Sequence, residues 1–495
     1  MRPRLQITLI LALALVLRLI MIGTRAMWYD EAFAVLFSEK GLQAMLYGTL
    51  TPVNGAAADV HPLLYYTTLN FWRNIFGQEA TAVRLYSVLI SLITLLVFYA
   101  VLRDLFDHRS ASVGLLIAAV APFYVQYSQE ARMYSLLALL MLGATWCYVR
   151  GTRSGHDGWW VGLAVCAGLG MYAQQLAAFY LLALGLAALG TRKRAIIIKM
   201  GLAALGAGLI YLPWLLQLPS QLGKLGAYWI EKPGIAQFLL TFRSFFFADL
   251  DSPNVAAQIF VLIALILILI FLIYMASRAF SRERAPLYLV LWLAFAPLAL
   301  MWLVSQVRPV YLNRALLPSG LLLYGALGWL FTRARLAQPI RTLLVGATVL
   351  SFGFGLHAFY TWDYFPRGDF RGVIATINAN KQAGDQVVHA NKITALSFYY
   401  YDRALPMRYI TDPLGGGSDT LALPTQETLK LFADACIGQA VQGAPRVWYV
   451  KYARQGDADS SWLRAHFHQV QEYNFNDLTV TLFDQPDSPT YACTP

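Results

Sequence analysis

Over most of this chain apolar residues do not alternate with polar ones; they run on. Eleven stretches, at 5–23, 82–102, 111–127, 133–149, 159–174, 176–190, 200–217, 255–277, 286–304, 315–332 and 342–360, are apolar enough to read as membrane spans. Each approaches the length, about 17–25 residues, that crosses a bilayer core of roughly 30 Å. The fifth and sixth nearly fuse around Tyr172-Ala173-Gln174-Gln175, which predicts a tight hairpin there. Two long segments separate spans, at 24–81 and 218–254. In the first, 32–46 carries apolar residues at helical spacing with Glu39, Lys40 and Gln43 between them, the pattern of a helix lying in the membrane interface. The stretch 61–76 repeats it, with Pro62 at a helix-start position and Leu63, Leu64, Tyr66, Leu69 and Phe71 on the apolar side.

Beyond residue 360 the pattern changes. Residues 370–379 have helical periodicity, while 386–390 (QVVHA), 446–451 (RVWYVK) and 478–483 (LTVTLF) have strand character. Helices and strands in alternation predict a small α/β domain at 361–495, interrupted by a flexible turn at Gly415-Gly416-Gly417-Ser418. The expected fold class is therefore a polytopic α-helical membrane protein of about 11 transmembrane helices over 1–360, followed by a small C-terminal α/β domain.

Composition agrees. With 58% hydrophobic and 13% charged residues the chain departs from soluble enzymes, which carry about 25% charged residues. The net charge of +11 would suit a nucleic-acid partner, but the basic residues form short clusters between apolar runs and make no continuous stripe. They read as topology signals. Arg103, Arg109, Arg150, Arg153, Arg192, Lys193, Arg194, Arg333, Arg335 and Arg341 fall in short connections on one side, which puts the N-terminus in the cytoplasm and, after an odd number of spans, the tail outside. The expected location is a multi-pass position in the cytoplasmic membrane. A cleavable signal peptide competes for residues 1–23, but Arg18 interrupts the apolar stretch and no small-x-small site follows. Cys147 and Cys166 fall inside spans as buried apolar residues, and Cys436 and Cys493 lie in the tail, where an oxidising compartment would permit a disulfide. No CxxC or HxxxH spacing suggests zinc.

Acidic residues near the membrane are the informative ones, because a carboxylate at a span end needs a partner or a task. Asp30 and Glu31 follow the first span in Met27-Trp28-Tyr29-Asp30-Glu31-Ala32, and Glu130 and Arg132 lie in Gln126-Tyr127-Ser128-Gln129-Glu130-Ala131-Arg132-Met133-Tyr134. Each has a plain structural alternative. Asp30 could cap the helix that follows, and Glu130 and Arg132 could salt-bridge a turn.

Together with His61-Pro62-Leu63-Leu64-Tyr65-Tyr66, Arg84-Leu85-Tyr86-Ser87 and Tyr311-Leu312-Asn313-Arg314-Ala315-Leu316-Leu317-Pro318, these clusters form five stretches in register across 1–360. In that order they resemble the integral-membrane glycosyltransferases of the C-type fold, in the family of protein O-mannosyltransferase and aminoarabinose transferase relatives. The resemblance implies an enzyme that moves a sugar, with inversion, from a polyprenyl-phosphate-linked donor to the hydroxyl of a lipid, glycan or protein acceptor outside the cytoplasmic membrane. It implies Asp30 as catalytic base with Glu130 beside it, and Glu31, His61, Tyr65, Arg84, Arg132, Tyr134 and Arg314 as substrate-binding residues. Membrane lipids are the other expected partner. No cofactor is expected, and no metal, although some C-type relatives bridge such acids and the phosphate with a divalent ion. Three departures bear on substrate identity: Leu63 follows Pro62, Tyr172-Ala173-Gln174 replaces Tyr-Thr-His, and Ala315 follows Arg314 where relatives carry Tyr. The competing class is a lipid-linked-sugar transporter or flippase, which would place charges and helix breaks near mid-membrane. A membrane anchor presenting the tail to a partner is the third.

Overall fold

The computed structural model describes residues 3–53, 61–217, 230–250, 252, 254–412, 420–488, 491 and 493. The glycine-rich turn expected at 415–418 and the 218–229 part of the second long segment lie outside these residues. In chain order the helices are α1 (Pro3–Leu19), α2 (Tyr29–Ser38), α3 (Gly41–Leu50), α4 (Leu64–Phe76), α5 (Ala80–Leu105), α6 (His108–Val120), α7 (Pro122–Ser128), α8 (Tyr134–Ser154), α9 (Gly158–Ala173), α10 (Ala177–Gly190), α11 (Arg194–Leu215), α12 (Ile235–Phe247), α13 (Val255–Ser277), α14 (Ser281–Ser305), α15 (Leu317–Thr332, entered through a 3-10 turn at Asn313–Leu316) and α16 (Gln338–Tyr360). Every predicted span falls on one of these helices or, for the third, on the pair α6 and α7. Among the described residues six helices are long and apolar enough to cross a membrane, seven if that bent pair is one span. The expected hairpin is the short connection between α9 and α10.

Two compact units emerge: Met1–Ile22, Arg84–Leu216 and Ile230–Thr361 form the first, and Gly23–Val83, Gln217–Trp229 and Trp362–Pro495 the second.

In the first unit α15 is the central helix, buried along nearly its whole length. It lies close against α6 through glycines: a Cβ on Gly328 would stand 2.7 Å from the Gly114 nitrogen and the Ser110 oxygen. Small residues let helices approach where lipid supplies no hydrophobic drive. The third span is not straight, as its apolar run suggested. Pro122 lacks an N–H, so α6 stops at Val120 and α7 restarts at an angle of 63°. Carbonyls freed by such a break must find donors inside the membrane. Arg18, fully buried, supplies one, donating from Nη1 to the Ala119 carbonyl at 3.0 Å and from Nε to Ser91 Oγ at 3.1 Å. The intramembrane arginine that a transporter reading would exploit thus serves the helix break.

The second unit holds α2, α3 and α4 together with the tail. The single helix expected over 32–46 is two helices, because Gly41 adopts φ +81° and turns the chain between them. The tail adds α17 (Phe370–Asn380), β1 (Gln386–His389), α18 (Lys392–Tyr401), β2 (Met407–Ile410), α19 (Leu423–Leu429), β3 (Ala433–Asp434), α20 (Ile437–Ala440), β4 (Arg446–Tyr452), α21 (Ala458–His466), β5 (His468–Phe475) and β6 (Leu478–Asp484). The sheet order is β3-β2-β1-β4-β6-β5, parallel from β3 to β4 and antiparallel across β6 and β5. Two cores sandwich it. Phe370, Ile377 and Phe398 pack with Trp448 and Val480 on one face, and Ile437, Leu463 and Phe467 with Val447 and Tyr449 on the other. Cys436 and Cys493, 57 residues apart, form a disulfide.

Candidate active site

The acids of the first long segment sit where α2 begins. Trp28 is the N-cap and Ala32 N donates to its carbonyl at 2.9 Å, so Asp30 and Glu31 occupy the first helical turn. Asp30 therefore does not cap the helix: the helix starts earlier than the apolar run implied, and the residue lies inside it. Both carboxylates stand at the positive end of the helix dipole, which favours their charged form. Glu31 is fully buried and Asp30 is 8% exposed. Arg367, from the tail, brings Nη1 to 3.5 Å from Glu31 Oε2 and donates to the Ala26 carbonyl at 3.3 Å. In the same turn the Tyr29 ring has Lys392 over it, 5.6 Å from its centre.

Tyr65 is buried at the start of α4, where its neighbour Tyr66 meets Phe33 and Phe37 of α2 edge to face, with centroids 6.1 and 5.4 Å apart. Aromatic packing of this kind fixes one helix against another. His61 is half-buried just before α4. At the end of α2, Glu39 accepts both guanidinium nitrogens of Arg403, at 3.1 and 2.7 Å, and pairs with Lys40. Burial alone would raise the Glu39 carboxyl, but Arg403 and Lys40 outweigh it and hold it below its ordinary value.

The first unit holds Arg84, Glu130, Arg132, Tyr134 and Arg314. Arg84, 2% exposed, donates to the Ile22 carbonyl at 2.7 Å. Gln129 Nε2 reaches the carbonyls of Arg18 and Ile20 at 2.9 Å each, oxygens that the end of α1 would otherwise leave without a partner in an apolar setting. This fixes the turn that carries Glu130 and Arg132, each 3% exposed and joined by the Arg132 N–H to the Glu130 carbonyl at 2.8 Å. Tyr134 opens α8, with Tyr127 edge-on at 5.4 Å and the Arg314 guanidinium 5.3 Å above its ring. The expected residues of 126–134 and 311–318 are thus brought together. Asp30, Glu31 and Tyr65 all belong to the other unit, on α2 and α4.

Sequence reasoning missed Asp249. Its Oδ2 accepts the Tyr127 hydroxyl at 2.7 Å, and its Oδ1 accepts Ser244 Oγ and Asn313 Nδ2 at 3.1 Å each. Its backbone N–H donates to Gln126 Oε1 at 2.8 Å. Asn313 Oδ1 in turn accepts from Thr241 at 2.9 Å. Asp249 therefore ties the 126–134 turn to the residue before Arg314. The signal available was one acid after an aromatic run, Phe245-Phe246-Phe247-Ala248-Asp249, with no motif around it. Among the described residues no group of three or more His, Cys, Asp or Glu side chains is arranged to hold a metal ion.

Comparison with known proteins bears on this architecture. Residues 60–216 match the family model for dolichyl-phosphate-mannose-protein mannosyltransferases. ArnT from Cupriavidus metallidurans, in a structure bound to undecaprenyl phosphate, is 14% identical and aligns over 96% of this chain and 97% of its own, with a TM-score of 0.65. The archaeal oligosaccharyltransferase AglB from Archaeoglobus fulgidus, in complex with an inhibitory peptide and a dolichol-phosphate, is 12% identical and aligns over 97% of this chain and 74% of its own, with a TM-score of 0.55. No curated protein gives a significant sequence match. The fold is that of the C-type membrane glycosyltransferases, as the five sequence stretches implied. Fold and family match agree on the class: a membrane glycosyltransferase.

Proposed function

We propose that this chain is an inverting glycosyltransferase that moves a sugar from a polyprenyl-phosphate-linked donor to an acceptor hydroxyl on the outer side of the cytoplasmic membrane, with the tail extracytoplasmic. The neighbours' ligands, undecaprenyl phosphate in ArnT and dolichol-phosphate with a peptide in AglB, support a lipid phosphate as the donor's carrier. The observation that carries the reading is Asp30, a carboxylate 8% exposed in the first turn of α2. Burial of an acid near a membrane is costly unless it is used.

In this reading the acceptor oxygen attacks the anomeric carbon as its proton passes to Asp30, and the bond from that carbon to the phosphate oxygen breaks, its electron pair leaving with the polyprenyl phosphate. One displacement inverts the anomeric centre. Glu130 orients the acceptor, and Arg84, Arg132 and Arg314 stabilise the charge growing on the leaving phosphate, with Glu31, His61, Tyr65 and Tyr134 shaping the substrate sites. The acceptor is a lipid, glycan or protein hydroxyl. The test is transfer by the purified protein in lipid nanodiscs from a synthetic polyprenyl-phosphate sugar, with the product's anomeric configuration read by NMR. Inverted product is expected; retained configuration overturns single displacement. A reporter active only in the cytoplasm, fused after Pro495, should be silent, and strong activity would put Asp30 on the wrong side.

A further inference from the structure

Besides the Arg403–Glu39 pair, the tail meets the stretch that leads into the acids at Gly23, Ala26, Met27, Tyr29 and Glu31. Arg367 pairs with Glu31 at 3.5 Å and donates to the Ala26 carbonyl at 3.3 Å. Arg371 donates to the Gly23 carbonyl at 3.2 Å, and the Met27 N–H donates to the Tyr401 hydroxyl at 2.7 Å. Lys392 stands 5.6 Å over the Tyr29 ring. Arg367 and Glu31 are buried, at 7% and 0% exposed. A buried ion pair is a poor source of net stability, since packed apolar residues of the same volume usually do as well or better. What it does supply is a fixed geometry, because the two charges tolerate little displacement away from water. Glu31 shares one helical turn with Asp30, so whatever fixes the first fixes the backbone of the second.

We propose that Arg367 is a positioning residue for the transfer reaction: its buried pair with Glu31, seconded by its bond to the Ala26 carbonyl, holds the first turn of α2 so that the Asp30 carboxylate stands at its working position. The tail is then a part of the catalytic apparatus and not an appendage of it. The proposal rests on the reading of Asp30 as the base. It differs from a binding role for Arg367 in a measurable way. A positioning residue acts on the rate of the chemical step and leaves donor binding alone.

The test uses the purified full-length chain in nanodiscs and compares kcat and donor KM for Arg367→Met, Arg367→Lys and the double variant Arg367→Met with Glu31→Gln. The double variant is included because removing Arg367 alone strands a buried carboxylate and endangers folding, whereas the neutral pair strands no charge. A displacement of about 1 Å costs roughly 10²-fold in rate, so kcat should fall by that order in the folded Met and double variants, with donor KM within about twofold of wild type in Arg367→Met; the double variant is read in kcat alone, because Glu31 itself shapes a substrate site. Arg367→Lys keeps the charge and should recover about tenfold of the loss, falling short because a compact ammonium on a different stem does not take the place of the Nη1 that meets both Glu31 and the Ala26 carbonyl. Wild-type kcat in the folded double variant, or a loss carried entirely by donor KM, overturns the proposal. If Asp30→Asn is inactive while the double variant is fully active, this inference alone fails. If Asp30→Asn turns over normally, the reading beneath it fails as well.

Discussion

The two acidic turns are held by different kinds of contact. The Asp30-Glu31 turn is fixed by charge, through Arg367 at 3.5 Å and Lys392 over Tyr29. The Gln129–Arg132 turn is tied by the Gln129 amide to the end of α1 and, through the Tyr127 hydroxyl, to the Asp249 carboxylate. The difference follows from surroundings. The first turn belongs with a tail whose strands and helices carry polar groups to its surface, whereas the second lies among membrane helices, where uncompensated charge is costly and amide and hydroxyl groups meet orphan carbonyls at lower desolvation cost. Charge gives a stiff clamp that fails when one partner is lost. Neutral networks lose their members one at a time.

The sharpest way to break this contrast is to exchange the acids for amides. Asp30→Asn keeps shape but cannot take a proton, so transfer by the purified variant should fall roughly 10²–10⁴-fold if Asp30 is the base. Folding should hold, because Asp30 is not the N-cap of α2 and the favourable interaction with the helix dipole that Asn gives up is worth about 0.3–1 kcal/mol. Glu130→Gln preserves hydrogen bonding at an orienting residue and should cost far less. Equal losses from the two substitutions would mean that both acids titrate in the reaction and that the difference between the turns is one of support only.

How much of this was legible in the sequence depends on whether a residue's partner was near it in the chain. The spans were legible because an apolar run carries its own evidence. The bend at Pro122 was visible as a proline in the third run, yet its consequence was not, since the donor that makes it tolerable, Arg18, lies 101 residues away from Ala119. The same holds for the site. Asp30, Glu130 and Arg314 stand inside recognisable stretches, but Asp249 and Arg367 act across distances of 122 and more than 300 residues and sit in no motif. In the tail, β1, β4 and β6 showed as β-branched buried runs. β5 did not, because it is an exposed edge strand (HQVQEYNF) with polar residues on both faces, and β2 and β3 are too short to show a period.

Asp249→Ala tests the support of the second turn. It would leave the Tyr127 hydroxyl, Ser244 Oγ and Asn313 Nδ2 without the carboxylate they share. Ser244 Oγ keeps the Leu240 carbonyl at 3.2 Å as an acceptor, so two buried donors are stranded at about 1–3 kcal/mol each, and stability of the helical unit should drop by about 2 kcal/mol or more, with activity falling as Arg314 loses its neighbour's anchor. Asp249→Asn, which still accepts through one oxygen, should retain part of both. An unchanged melting temperature in Asp249→Ala would show that the network relaxes onto other acceptors.

Acid should loosen the tail. His389, fully buried beside Phe398, is pushed down to about 3 from its ordinary 6.5 by burial, so the folded tail keeps it neutral. As pH falls below 6.5 the unfolded chain takes up a proton that the folded one refuses. The resulting stability is complete above pH 6.5 and is lost progressively toward pH 3. By pH 5 the loss is about 2 kcal/mol. Calorimetry at pH 7 and 5 should show the tail transition moving down, and His389→Leu should flatten that dependence. A slope that survives in His389→Leu assigns the acid sensitivity to other groups.

The smallest effect concerns the arginine that lies by the second turn and would meet the donor's charge. Arg314 enters α15 through the turn Asn313–Leu316, and its guanidinium carbon lies 5.3 Å over the Tyr134 ring. Stacking on an aromatic face suits a planar guanidinium better than a compact ammonium. An arginine that only reaches toward the membrane surface would tolerate Lys without loss. If Arg314 grips two phosphate oxygens, Arg314→Lys keeps the charge and loses both the fork and the stack, and transfer should fall about tenfold, in kcat at least as much as in donor affinity, because the phosphate gains charge as the bond breaks. Arg314→Ala should fall further. Kinetics at varied polyprenyl-phosphate-sugar concentration separate the cases, and wild-type behaviour in both variants would leave Arg84 and Arg132 to carry the phosphate.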